Sequence, residues 1–511
     1  MRILEDRIIF DSEDWLGGFA PMHGTSRHVG KGFAISNGMN PFDTTPGMAF
    51  PGKTGTDITG TTDTGNGIPD ANLVDATVNG IGGDFAYLIG GTDLHRLDVT
   101  SDTLSTAGDW PHTTTPHGHS TLSYVNGSTV MYNVSGATRV FHSWNDATDW
   151  DVGIFDLSST FDDDFMSTVP TSPLAGSDLT GGQGLPHPLY VAEDDILYIG
   201  SGRFVHSYDG TSDTFNSQVL KLPINFEVTG FAETQFHLVV FASTGKRTGR
   251  RAEAKAFFWG ANRGNSFDKA VSLEEDDIAA PFAYNGTVGC FTRNRNSSRS
   301  VLRIYDNTRF VPVFFWNNNL PSIGGVEIQD NMIKWNSSGQ IYAWGSKDGL
   351  FDQAAFHFDI LSGLTSGFLK SFTGGTLYAS SGTGVKGIQT LTNFATGAAL
   401  NTLTAMPVFP RGQRGKVKEV RVTYPGIASG GRALSITMTV NGSQTTKQVI
   451  LNKEDITSTQ LVSRHMLDVS GAQFPEFTDL RVNLNWGDGG GAANAIGVEK
   501  VEIFFDTINF T

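Results

Sequence analysis

Three imidazoles fall within eight residues: His112, His117 and His119. Such a density of nitrogen donors is one way to hold a transition metal. The segment also carries Pro116 and Gly118, so it reads more simply as an exposed loop between strands, and no metal is expected there. Asp63-Thr64-Gly65-Asn66-Gly67-Ile68-Pro69-Asp70 has the outline of a calcium loop. Calcium takes roughly six to eight oxygens, mostly from carboxylates, and only Asp63 and Asp70 are charged, so a Gly-rich turn is the better reading. The denser acidic run Phe161-Asp162-Asp163-Asp164-Phe165 reads as a solvated inter-strand loop.

Two basic segments interrupt an acidic chain. One holds Lys246, Arg247, Arg250 and Arg251; the other holds Arg293, Arg295 and Arg299. Both fall between strands of adjacent repeat units, which puts them on one rim. They are candidate interface residues for an acidic neighbour or a phosphate-rich ligand. As plain hairpin tips they would serve solubility alone. No G-x-S-x-G elbow, H-E-x-x-H pair or P-loop is present, and no Ser-x-Asp-x-Gly-x-x-Trp box. No catalytic residue and no cofactor is therefore expected, and the chain reads as a non-enzyme. Trp144, Trp150 and Trp316 near strand ends are the side chains that would stack a sugar, if a glycan were bound.

Something must position these loops, and the sequence names it by recurrence. Short apolar bursts closed by Gly, Asn or Asp recur around Tyr87, Tyr132, Tyr198, Tyr342 and Tyr378. Phe236-His237-Leu238-Val239-Val240-Phe241 and Thr287-Val288-Gly289-Cys290-Phe291 fill the long gap between the third and fourth anchors. Each burst is a strand, a Gly-bearing turn and a second strand that often ends in Asp. The period of about 45 residues, with four short strands to a unit, is the mark of a β-propeller. The expectation is an all-β chain with a propeller of about seven blades over 81–392, six or eight also fitting the spacing. Residues 1–80 are rich in small and polar residues and read as an extended arm that lies on its own domain or on another subunit. Residues 393–511 alternate well, and Asn441-Gly442 between alternating runs is a strong hairpin signal. A small β-sandwich is expected there.

Composition sets the limits. Of 511 residues, 61 are Gly and 19 Pro, which argues against long helices and coiled coils. The net charge is −16. Residues 393–511 carry 11 Lys/Arg and 10 Asp/Glu, which leaves 25 and 42 for the first 392, so the acidity sits on the arm and propeller. That balance disfavours non-specific binding to nucleic acid. The lone Cys290 forbids an internal disulfide framework. Charges in Met1-Arg2-Ile3-Leu4-Glu5-Asp6-Arg7 stand where a signal peptide needs an apolar run, and no apolar stretch is long enough to span a membrane. Folding in a reducing cytosol is expected.

Three segments carry a resemblance. They are the run from Asp156 through Phe161-Asp162-Asp163-Asp164-Phe165 to Pro170, the run from Pro186-His187-Pro188-Leu189-Tyr190 to Gly200, and Ile304-Tyr305-Asp306-Asn307-Thr308-Arg309-Phe310. They resemble tailed-phage virion propeller proteins over roughly residues 80–390. The resemblance implies a structural part of a virus particle assembled in the host cytoplasm. It implies a tail component such as a nozzle, hub or tail-attached ring, with other virion proteins as partners and a homo-oligomer in a symmetric assembly. It carries over no catalytic motif. The alternative is a propeller that binds or cleaves a host surface glycan during adsorption.

Overall fold

The computed structural model describes residues 85–109, 128–157 and 187–345, with short gaps in each, and elsewhere individual strands and one short helix, Phe165–Thr168. Apart from that helix and a single 3-10 turn at Ile323–Gly325, every described element is a strand.

Five separate four-stranded antiparallel sheets follow one another along the chain. The first joins Leu73–Val74, Phe85–Gly90, Asp93–Asp98 and Thr103–Asp109. The second runs from Thr129–Val134 through Ala137–Asn145 and Trp150–Phe155 to Phe161–Asp162. The third takes Leu189–Val191, Leu197–Ser201, Phe204–Asp209 and Thr214–Lys221. The fourth takes Glu227–Glu233, His237–Ser243, Ala254–Gly260 and Lys269–Ser272. The fifth takes Asp277–Tyr284, Thr287–Arg293, Ser300–Tyr305 and Phe310–Trp316. In each, every strand pairs with the next in sequence, and from the second sheet to the fifth the first strands of successive sheets face one another. This is a β-propeller arrangement with the first strands innermost.

Five blades stand as separate sheets, not about seven. The remaining strands of the region are joined in one eight-stranded sheet. Val326–Gln329, Met332–Ser337, Gln340–Gly345 and Ala354–Ile360 are followed by Lys53–Asp57, Gly387–Phe394, Leu377–Ser381 and Leu369–Ser371. One residue pair, Ile360 with Thr54, is the only parallel pairing in that sheet. The tyrosine anchors are not equivalent either. Tyr87 and Tyr198 lie on the second strands of their blades and Tyr132 on a first strand, while Tyr342 and Tyr378 lie on the third and the seventh strand of the eight-stranded sheet. A large buried ring suits any central strand covered on both faces, so the recurrence of Tyr followed the core and not a fixed register.

The core explains why the chain reads as short apolar bursts. Leu197–Ser201 is buried at every residue, as is Met332–Ser337, because a neighbouring sheet covers each face. The outer strand Thr214–Lys221 alternates instead. Each apolar cluster spans two successive sheets. Tyr132, Phe141 and Val152 of the second pack with Leu197, Ile199 and Tyr208 of the third, and Phe165 and Met166 of the short helix fill the same cluster. Tyr198 and Leu220 meet Phe231, Val240 and Trp259 of the fourth. Phe241 and Phe258 meet Val288, Tyr305 and Phe310 of the fifth. Phe291 and Trp316 meet Ile333, Trp335 and Trp344 of the sheet that follows. Each fully buried large apolar side chain contributes about 1.5–3 kcal/mol, and none would be covered by its own blade alone.

The first 80 residues do not lie apart. Arg7–Asp11 pairs with Lys500–Asn509, and Ile35–Asn37 with Thr402–Ala405. Lys53–Asp57 pairs with Gly387–Phe394. These described strands of the expected arm pair with strands of the chain's own C-terminal half. Two five-stranded antiparallel sheets occupy the C-terminal region. One orders Arg2–Ile3, Arg7–Asp11, Lys500–Asn509, Gln413–Thr423 and Val462–Met466. The other orders Ile35–Asn37, Thr402–Ala405, Leu480–Gly487, Ala433–Val440 and Thr446–Leu451. Ala433–Val440 and Thr446–Leu451, the strands on either side of Asn441-Gly442 in the sequence, pair antiparallel.

Candidate functional site

The blades expose two kinds of loop. Turns between first and second strands, and between third and fourth, lie on one face of the ring. Connections between second and third strands, and between blades, lie on the other, because the strands of each sheet alternate in direction.

On the first face the sequence repeats a turn. Asp98-Val99-Thr100-Ser101-Asp102-Thr103 and Asp209-Gly210-Thr211-Ser212-Asp213-Thr214 match at four of the five positions other than the leading Asp. In both turns the second Asp is left-handed, with φ of 51°. The leading carboxylate accepts the amides two and three residues on: Asp98 from Thr100 (2.9 Å) and Ser101 (3.2 Å), Asp209 from Thr211 (2.9 Å) and Ser212 (3.3 Å). Asp306 does the same with Thr308 and Arg309, both at 2.9 Å. The Ser212 hydroxyl holds the Asp209 carboxyl below its usual range. The Thr308 hydroxyl, followed by the two amides, brings Asp306 down to about 2. These acids are turn caps, which accounts for strands that end in Asp.

The same face carries the bonds between blades. The Tyr132 hydroxyl donates to the Asp195 carbonyl of the next blade at 2.7 Å and accepts the Gly210 amide at 2.8 Å. Gly210 must lack a side chain, because a Cβ there would sit 2.2 Å from the Asn133 carbonyl oxygen. Arg263 of the fourth blade bonds Glu233 at 3.0 Å, pairs with Asp194 of the third at 3.2 Å, and lies over the Tyr198 ring at 4.6 Å. Glu233 also accepts the Glu193 amide at 2.9 Å. Burial outweighs these partners and raises the Glu233 carboxyl. The Tyr284 hydroxyl of the fifth blade donates to the Asn331 carbonyl at 2.8 Å. Deeper in, Arg303 is 2% exposed. It donates to both oxygens of Glu275 (2.6 and 2.8 Å), to Glu274 (2.6 Å) and to the Phe310 carbonyl (2.9 Å). The connection from the fourth blade is thereby fastened into the fifth.

Of the predicted basic residues, Arg293, Arg295 and Arg299 fall on the other face. Lys246, Arg247, Arg250 and Arg251 lie outside the described residues, but the strands that flank them, His237–Ser243 and Ala254–Gly260, are the second and third of the fourth blade. Arg293, Arg295 and Arg299 lie at the same connection of the fifth blade. Arg293 donates to Asn319 at 3.1 Å. The Arg295 backbone amide bonds Asp276 at 2.9 Å, and its guanidinium, with that of Arg293, acts on Asp277, whose carboxyl burial nevertheless raises. Arg299 lies over the Phe315 ring at 3.9 Å.

His112, His117 and His119, the segment Asp63 to Asp70, and Asp163 and Asp164 lie outside the described residues. Asp162 ends the outer strand of the second blade. Trp144 and Trp150 are on paired strands of that blade. Trp316 is 6% exposed and packs against Phe291 and Trp335, so it is a core residue and stacks no sugar. Cys290 is buried, and burial raises its thiol far out of the reactive range. Sequence reasoning missed three buried histidines. His142, His187 and His206 sit in the second and third blades, and burial lowers them to about 3, about 4 and about 4. His142 meets the Thr129 hydroxyl at 2.6 Å, and His187 the Gly200 carbonyl at 2.9 Å. Nothing in their spacing marks them, since each is set by the register of its own blade. Among the described residues no group of three or more His, Cys, Asp or Glu is placed to hold a metal ion, and no helix is long and apolar enough to cross a membrane.

No protein-family model matches the chain, and no curated protein matches it. Solved structures do. The chain is similar to YCF48 bound to D1 peptide, at 9% identity and a TM-score of 0.43, with 67% of this chain and 97% of that chain covered. It is similar to the Dos1 propeller at 12% identity and a TM-score of 0.41, covering 70% and 93%. It is similar to the extracellular domain of a one component system, BT4673 from B. thetaiotaomicron, at 11% identity and a TM-score of 0.41, with 67% of this chain covered. The chain spans 40% of the length of that domain. These neighbours are propellers from unrelated proteins, and none is from a phage tail.

Proposed function

We propose that this chain is a non-enzymatic structural component of a tailed-phage virion, in its tail, where it holds other chains as part of a nozzle, hub or attached ring. The observation that carries the scaffold half of this reading is where the polar chemistry goes. Tyr132, Arg263, Glu233 and Tyr284 use their polar atoms between blades, and Asp98, Asp209 and Asp306 use theirs to cap turns. Groups committed in this way stiffen a frame. The viral half is supported by the resemblance, whose segments fall on blade parts: the turn and helix after the third strand of the second blade, the inner hairpin of the third, and the capped turn of the fifth.

In the same reading the eight-stranded sheet is two blades that touch at the single Ile360 and Thr54 pair, which gives seven. Lys53–Asp57 is then the outer strand of the last blade, and the two C-terminal sheets pack as a sandwich. Assembly uses loops, edges and other virion proteins. Stability gained on assembly comes by mass action.

The test is gold labelling. An antibody against the propeller should mark tails of purified particles in negative-stain micrographs. Particles that lack the chain by mass spectrometry, in a host that expresses it, would remove the viral assignment.

A further inference from the structure

The two faces of the ring differ in how they use charge. On the face of the turns, carboxylates dominate: Asp98, Glu193, Asp194, Asp195, Asp209 and Asp306 stand on the first, third and fifth blades. On the opposite face the described blades present Arg203, Lys221, Lys255, Arg293, Arg295 and Arg299. Acids occur there too, but they are held locally: Glu253 pairs with Lys255 at 3.2 Å, Glu274 with Arg303 at 2.6 Å, and Asp276 accepts the Arg295 amide.

Three of the cations are held differently. Arg203 lies 5.0 Å from the Phe204 ring centre, Lys221 5.6 Å from the same ring, and Arg299 3.9 Å from the Phe315 ring. None of the three pairs with a carboxylate among the described residues. A ring fixes the position of a cation without neutralising it. Beside them, Ile224 is 73% exposed on the connection between the third and fourth blades, and Phe315 is 41% exposed. Oriented cations beside exposed apolar side chains make a surface fitted to an acidic protein face. The acidic face of this same chain has the matching features, including Phe236, 66% exposed at the hairpin next to Glu233.

We propose that the cationic face of the third to fifth blades docks onto the carboxylate face of a second copy of this chain, head to tail. The contact joins two different surfaces, so it leaves one face of each kind free and extends into a stack unless a rotation closes it. This names surfaces for the assembly in the proposed function, but it rests on the charges and not on the viral assignment.

Sedimentation of the full chain tests it. The wild type should gain mass with concentration in dilute salt. Its self-affinity should fall about tenfold or more between roughly 0.05 M and 0.5 M salt. A variant with Arg203→Glu, Lys221→Glu and Arg299→Glu should remain a monomer. So should one with Glu193→Lys and Asp195→Asn, where Asn keeps the left-handed backbone and the capping acids Asp98, Asp209 and Asp306 all stay. Mixed, the two variants should form one-to-one pairs that grow no further, since each supplies one intact face. A wild type that stays monomeric at every concentration overturns the proposal. So does unchanged association in both variants, or a monomer that is retained on an immobilised oligonucleotide and released by the cationic-face reversals, which would assign that face to a polyanion. If a variant loses its sheet circular dichroism, the salt response of the wild type decides alone. A monomeric wild type would leave the virion reading to the labelling test, so the two failures are distinct.

Discussion

The Tyr132 hydroxyl of the second blade accepts the buried Gly210 amide of the third and donates to the Asp195 carbonyl. Tyr132→Phe keeps the ring and strands that amide. We expect a loss of about 1–3 kcal/mol in urea unfolding, the cost of an unsatisfied buried donor; an unchanged midpoint would mean that water replaces the hydroxyl. Arg303→Met should cost more, about 3–5 kcal/mol, because Glu275 would remain buried without its guanidinium. The buried histidines give the fold a pH response. Unfolded, His142, His187 and His206 take up protons near pH 6.5; folded, they stay neutral down to about 4 or below. Below about pH 6.5 the unfolded chain therefore binds more protons. Stability is full above that value and should fall toward pH 4, by roughly 2 kcal/mol per ring at pH 5. Urea midpoints compared at the two ends of that window check the slope, and a flat profile would show that the rings are protonated in the native state. The histidines were illegible in the sequence because burial, and not residue type, sets their chemistry.

At the scale of elements, the strand bursts were legible because central blade strands are covered on both faces and so carry continuous apolar runs. Tyr198, 4% exposed and edge-on to Trp259 at 5.7 Å, is such an anchor. Tyr198→Ala should cost about 3–5 kcal/mol, the range for deleting a large buried ring, and a negligible melting shift would mean that the interface collapses around the gap. What was not legible was pairing between distant segments. Residues 1–80 carry few apolar periodic stretches, so they read as an extended arm with no stated partner strands, yet Lys53–Asp57 pairs with Gly387–Phe394 through backbone bonds that leave no mark on side-chain pattern. Thr56→Pro removes a ladder donor opposite Thr390. It should cost about 2 kcal/mol if that strand closes the ring, and nothing measurable if the strand is dispensable. The capped turn repeat, Asp-x-Thr-Ser-Asp-Thr, stands in the sequence at 98–103 and 209–214.

At the scale of the molecule, the acidic excess of the first 392 residues acquires a direction: carboxylates cap turns on one face, and Arg203, Lys221 and Arg299, which pair with no carboxylate among the described residues, stand on the other. A ring with two unlike faces, stiffened by bonds between blades, is suited to holding chains on both sides. The most direct measurement of this account is an electron cryomicroscopy reconstruction of the native particle tail. The account predicts a ring of radial sheets closed by residues 53–57, with the Arg299 face of one copy against the Asp306 face of the next. A tail map with no such ring, or an isolated chain reconstructed as a single continuous barrel, would contradict it.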